Sequence, residues 1–298
     1  MPTQSEIQAL ITLLQDPDPN IQSVVRKVII EHGKTVIPAL ETAWEHSPSE
    51  NFQHDIEEIV HTINFESLKR SLHVWLAKQE HQILEGLILV AQYAFPELNI
   101  NEIQGQIDAL TQQIQSELYK EATPLEKIKI MNHVFFEKHG FTQNSNNFYA
   151  PQNSYINYVL DNRRGNPISL ALIYLIVGRS LGLPLYGVNL PKNFILMYQD
   201  ESKPQDFAIE NVLFYINPYN KGAVLSAKEI EFFTRQQRLT FREEYYLACT
   251  NPVIVRRLLQ NLHYAYTQIK DDTKAEEVAT LRDILDNFLE NDNGLLKP

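Results

Sequence analysis

An α+β protein dominated by helix is the fold class encoded by this chain of 298 residues. Apolar residues recur at helical spacing through the first 140 residues and again through the last fifty. The stretch after residue 182 switches to short β-branched and aromatic runs broken by turn residues. Glycine is scarce, with 10 copies, so little interrupts the helices. With 44% hydrophobic and 21% charged residues the composition is globular rather than disordered. Thirty-seven acidic residues against 26 basic ones give a net charge of −11, and no Lys/Arg-rich segment offsets it. Nucleic acid and anionic membrane are therefore poor partners.

The elements follow in order. Thr3 and Glu6 form a capping box ahead of Ile7, Leu10, Ile11 and Leu14. Asp18 caps a second helix with Pro19 at its first position, and Ile21, Val24, Val25, Val28 and Ile29 form its stripe before Gly33 stops it. A third stripe, Val36, Ile37, Leu40 and Trp44, carries Pro38 in its first turn. The pair LLQDPDPNIQSVV and GKTVIPALETAW resembles one HEAT-like repeat, read as a capping pair rather than an array. Ile100, Ile103, Ile107, Leu110, Ile114 and Leu118 mark a core-facing helix. Thr123, Pro124 and Glu126 start another, which runs through Ile128, Met131, Val134 and Phe135 to a Gly140 stop. From Phe141 to Asn153 the periodicity vanishes, predicting an irregular loop long enough to be functional.

Asn166 and Pro167 read as N-cap and first position of a helix whose body, ISLALIYLIV, is apolar nearly all round and so predicted central. Gly182 and Pro184 end it, and PLYGVNL, NFILMY, QDFAIE and VLFYI then predict an antiparallel sheet. Ser169 falls in the first turn of the central helix, where developing negative charge is stabilised, as cysteine proteases and acyl-transferases require of their nucleophile. The closing segments, Val253 to Ala265 and Ala275 to Leu289, form a helical hairpin turning at KDDTK.

The motifs NSYINYVL, RRGNPISLALIYL, GVNLP and INPYNKG resemble the bacterial SirB-type branch of the transglutaminase-like superfamily, over roughly residues 80 to 265. The resemblance implies an α+β, papain-like core with an antiparallel sheet, preceded by an all-helical region with the HEAT-like pair and followed by a tetratricopeptide-like hairpin. The expected regions are 1–79, 80–250 and 251–298. It also implies a Cys nucleophile at the start of the central helix, a His base and an orienting Asp. Carried over by position, these fall on Ser169, Asn193 and Asn217. All three are neutral here, and asparagine cannot act as a general base near neutral pH. Nine histidines occur, at 32, 46, 54, 61, 73, 81, 133, 139 and 263, so a substitute base must fold back from a flanking helix.

These residues predict a catalytically degenerate protein, leaning to non-enzymatic, that binds a protein or peptide through the former active-site cleft. The alternative is an amidase or acyl-transferase using Ser169 with an unidentified base. A further alternative is a helical scaffold with a structural core domain. Candidate binding residues are Asn153, Tyr155, Arg163, Arg164 and Asn166, with the arginines read as anchors of the adjacent loop. No cofactor and no metal site is expected. His54 and His61 lack a third ligand, and Glu57/Glu58, Asp271/Asp272 and Glu276/Glu277 read as solvated helix faces. Neither GxGxxG nor GxxxxGK[ST] occurs, and the Gly178/Gly182 spacing lies in a run too short to span a bilayer. A lone Cys249, the lack of an export-type start and the absence of any run of 18 apolar residues predict a cytoplasmic protein.

Overall fold

Local capping chemistry starts the first helices where the sequence places them. The computed structural model describes residues 3–203, 208–240 and 242–291. The chain divides into two units, Met1–Val74 and Trp75–Pro298. In the first, helix α1 (Gln4–Leu13) begins where Thr3 N–H donates to Glu6 Oε2 at 2.6 Å and Glu6 N–H donates to Thr3 Oγ1 at 3.3 Å. Helix α2 (Pro19–His32) begins where Asn20 N–H donates to Asp18 Oδ1 at 2.8 Å, and Gly33, at φ 66°, ends it. Helix α3 (Ile37–His46) and the long α4 (Glu50–Leu76) follow, the last two residues of α4 falling in the second unit. Ile11, Leu14, Ile29, Leu40, Ile56 and Ile59 make the core of this unit. The apolar stripe of α2 is narrower than predicted. Val25 and Ile29, one turn apart, are buried, whereas Ile21 and Val24 face solvent, Val24 at 61% exposure.

The second unit opens with α5 (Ile83–Gln92) and α6 (Ile100–Glu117), whose Ile103, Ile107, Leu110 and Ile114 are buried as their spacing predicts. Helix α7 (Pro124–Asn132) carries the Thr123/Glu126 box, then widens into a π-type turn over His133–Lys138 before Gly140 at φ 71°. The segment expected to be irregular from 141 onward contributes strand β1 (Thr142–Gln143), and a 3-10 turn spans Pro151–Ser154. Helix α8 (Ile156–Asn162) then leads to strand β2 (Arg164–Gly165), which pairs in parallel with β1. Helix α9 (Pro167–Ser180) is buried from Ile168 to Gly178, as its all-round apolar sequence requires.

Strands β3 (Leu185–Val188), β4 (Ile195–Gln199), β5 (Val212–Asn217) and β6 (Ala223–Leu225) form an antiparallel sheet in that order. Gly187 pairs with Leu196, and Met197 with Tyr215. Strand β4, buried at all five positions, and β3 lie against α9. Three of the four expected runs are strands. The fourth, QDFAIE, lies partly outside the described residues, and the segment Ile209–Asn211 is a 3-10 turn. Helix α10 (Ala227–Gln236) begins at a Ser226/Glu229 capping box, and α11 (Asn251–Gln268) and α12 (Asp272–Asn291) pack against each other. Among the described residues no helix is long and apolar enough to cross a membrane.

Candidate functional site

Asn166 joins β2 to α9 and organises the start of the central helix. Its Oδ1 accepts the Ser169 N–H at 2.9 Å, and its Nδ2 donates to Ser154 Oγ at 3.1 Å. Ser169 Oγ in turn accepts the Asn166 N–H at 3.0 Å and donates to the Asn166 carbonyl at 3.2 Å. This is a capping box with serine in the place commonly held by Glu or Gln. Ser169 is buried, and Gly165 lets the chain close over it: a Cβ at 165 would lie 2.5 Å from Ser169 Oγ.

No titratable side chain hydrogen-bonds this hydroxyl among the described residues. The four histidines of the second unit are engaged elsewhere. His81 Nε2 meets the Leu76 carbonyl at 3.0 Å, and His133 Nδ1 meets Glu137 at 2.7 Å. His139 Nε2 meets Gln113 at 2.6 Å, and His263 Nδ1 meets the Ala275 carbonyl at 2.9 Å. Burial, followed by the charge of Arg163, holds His139 below the usual imidazole pKa. Cys249 donates to the Gly187 carbonyl at 3.2 Å, and burial pushes its thiol up to about 12.

Among the described residues, none of the remaining sequence-predicted ones hydrogen-bonds the Asn166–Ser169 box. Asn153 is a loop organiser. Its Oδ1 accepts from Asn144 at 2.7 Å, and its Nδ2 donates to the carbonyls of Asn147 and Phe148 at 2.8 and 3.1 Å. Tyr155 is buried with its hydroxyl 2.7 Å from that of Tyr266, and burial drives its phenol far above the ordinary range. Arg163 ends α8 in the left-handed conformation, at φ 57°, with its guanidinium 4.9 Å from the Phe141 ring centre. Arg164 is exposed on β2. Asn217 ends β5 and accepts the Asn220 N–H at 3.3 Å, capping a turn of its own. His54 lies 3.4 Å from Glu58, and no group of three His, Cys, Asp or Glu converges among the described residues.

Beside the Asn166 cap lies a cavity of about 210 Å³. The loop held by Asn153 supplies Phe148 and Tyr149 to its wall, and Asn193 and Phe194 enter from the turn before β4. Ser154 and Asn166 also line it, whereas Ser169 and Asn217 do not. Of the three carried-over positions, Asn193 alone reaches this wall. Helix α11 adds Arg257, Asn261 and Tyr264, none of which belongs to a sequence motif named above. Their spacing of four and three residues, beside the apolar positions 258, 262 and 265, is the signal that could have found them.

Residues 101–260 match the profile of the Transglutaminase-like superfamily. The match covers more than half of the chain, and the protein belongs to that superfamily. A UPF0162 protein of Xylella fastidiosa strain 9a5c is 30% identical over 190 residues, 62% of this chain and 64% of that protein. Human F-box only protein 21 is 26% identical over 258 residues, 78% of this chain and 40% of the relative. A UPF0162 protein of Vibrio cholerae is 23% identical over 187 residues, 62% of this chain and 66% of its own length. The chain thus spans less than two thirds of the length of the relatives it matches. No solved structure matches.

Proposed function

We propose that this chain is a catalytically degenerate transglutaminase-like protein that binds a peptide or protein segment through the cavity beside α9. The observation carrying the reading is the Ser169 hydroxyl, held between the N–H and the carbonyl of Asn166. A hydroxyl is a weak nucleophile unless a base takes its proton, and general acid–base assistance is worth roughly 10² to 10⁴ in rate. Here the nucleophile position is occupied by a group serving the helix cap, and the base and acid positions hold Asn193 and Asn217. A papain-like core, a SirB-type assignment, a HEAT-like pair ahead of the core, a tetratricopeptide-like hairpin after it and a cytoplasmic location complete the proposal. The motifs NSYINYVL, GVNLP and INPYNKG support the SirB-type assignment.

The test is chemical. Purified protein treated with an activated fluorophosphonate is expected to carry no adduct at Ser169 after digestion and mass spectrometry, under conditions that label a serine hydrolase fully. A stoichiometric Ser169 adduct, or turnover of amide or thioester substrates that Ser169→Ala abolishes, overturns the reading in favour of an acyl-transfer enzyme.

A further inference from the structure

The cavity carries a charge at odds with the molecule around it. The chain has a net charge of −11, yet no Asp or Glu lines this wall, while Arg257 and Lys192 do. Lys192 is spent outward, its Nζ donating to Gln237 at 2.9 Å. Arg257 is different. Its Nη1 donates to the neutral Asn189 Oδ1 at 3.0 Å, and it forms no ion pair among the described residues. Its neighbour Arg256 is paired, with Nε 2.7 Å from Asp286. Burial, and then the charge of Arg256, lowers the pKa of the Arg257 guanidinium. A cation half-withdrawn from water without a counter-charge is costly, and the planar fork of arginine leaves further N–H donors for a carboxylate.

Two further features share the wall. The side-chain amides of Asn193 and Asn261 make no hydrogen bond within the described residues, and each offers a donor and an acceptor, the complement of a peptide group. Phe148, Tyr149 and Tyr264 stand edge to face, with ring centres 5.1 and 5.7 Å apart in sequence, and each is 44–50% exposed. The cavity, at about 210 Å³, is smaller than the roughly 300–1,000 Å³ of pockets that enclose a drug-sized ligand, which suits one residue better than a cofactor.

We propose that the cavity receives the C-terminal residue of a polypeptide. The terminal carboxylate lies against Arg257, the last peptide group against Asn193 and Asn261, and the terminal side chain against the three rings. This inference deepens the peptide-binding reading and rests on it.

The experiment uses the full chain, immobilised, and two sets of N-acetylated hexapeptides randomised at their last three positions. One set ends in free acids and the other in C-terminal amides. Retained peptides are counted by mass spectrometry. Wild-type protein is expected to retain the acids at least tenfold over the amides. Arg257→Gln abolishes that preference, Arg257→Lys reduces it by losing the fork, and Lys228→Gln, the same charge change on the exposed face of α10, leaves it intact. Circular dichroism melting checks that each variant is folded. Equal retention of acids and amides, lost on Tyr264→Ala, overturns the chain-end inference and leaves a peptide-binding cleft standing. Retention of amides that end in Asp or Glu overturns it in favour of an acidic side chain. An undiminished acid preference in folded Arg257→Gln overturns it as well, and retention of neither set overturns both readings.

Discussion

The hydroxyl of Ser169 both receives the Asn166 N–H and gives its own proton to the Asn166 carbonyl, so its hydrogen-bonding capacity is directed at the first turn of α9. Removing it leaves a buried N–H without its acceptor, and Ser169→Ala is expected to cost about 1–2 kcal/mol in urea denaturation. A Ser169→Ala variant as stable as wild type would show that the cap is not energetically coupled to the fold. Gly165→Ala acts on the same box by crowding. The added methyl lies 2.5 Å from Ser169 Oγ and 3.0 Å from Val159 Cγ1, so one of them must move, at roughly 1–3 kcal/mol. Cys249 offers a chemical readout at the same scale. With its thiol pushed up to about 12 by burial, almost none is thiolate at pH 8. Native protein should react with an aromatic disulfide reagent at least a hundredfold more slowly than protein in denaturant, and equal rates would contradict the burial.

Elements whose signals are local were legible from the sequence, and those assembled by packing were not. The Thr3/Glu6 and Thr123/Glu126 boxes and the Asn166–Pro167 start each lie within four consecutive residues. The Ser226/Glu229 box is equally local, but the amphipathic run behind it is only ten residues long and directly follows the sheet. The widened turn at His133–Lys138 has no periodic signature in the sequence, and within it Phe135 stacks on Phe141 with ring centres 4.1 Å apart. The cavity wall shows the same limit at larger range: Arg257 lies on a helix far along the chain from Asn166, and only folding joins them. One link of this kind is open to test. Asn132 Nδ2 donates to the Gly222 carbonyl at 2.9 Å, and Asn132 Oδ1 accepts from Tyr174 at 2.8 Å, tying the turn between β5 and β6 to α7 and α9. Gly222 sits at φ 69°, and a Cβ there would strike the Asn132 amide. Gly222→Ala therefore combines strain with a broken hydrogen bond, and a loss of roughly 2–4 kcal/mol is expected in chemical denaturation. A loss below about 0.5 kcal/mol would show that the turn relaxes without cost.

Each of the two units carries one tryptophan in a distinct setting, which makes their folding separately observable at the scale of the whole molecule. Trp44 is 38% exposed in the first unit, its indole N–H donating to Glu57 at 3.0 Å. Trp75 is fully buried in the second, donating to the Gln82 carbonyl at 3.2 Å, and its ring approaches Gly86 so closely that a Cβ there would meet it at 3.0 Å. The first unit closes its own core around Leu40 and Ile59, while a separate cluster around Met197 and Tyr215 fills the sheet of the second. A chain with separate cores need not unfold in one step. In Trp44→Phe, fluorescence reports the surroundings of Trp75 alone, while far-ultraviolet circular dichroism reports helices of both units. The two probes are expected to give different urea midpoints, with the smaller helical unit lost first because it buries less surface per residue. Transitions that superimpose, and that shift together to a lower midpoint when Leu40→Ala weakens the first core by the roughly 2–5 kcal/mol such truncations cost, would mean that the molecule unfolds as one cooperative body.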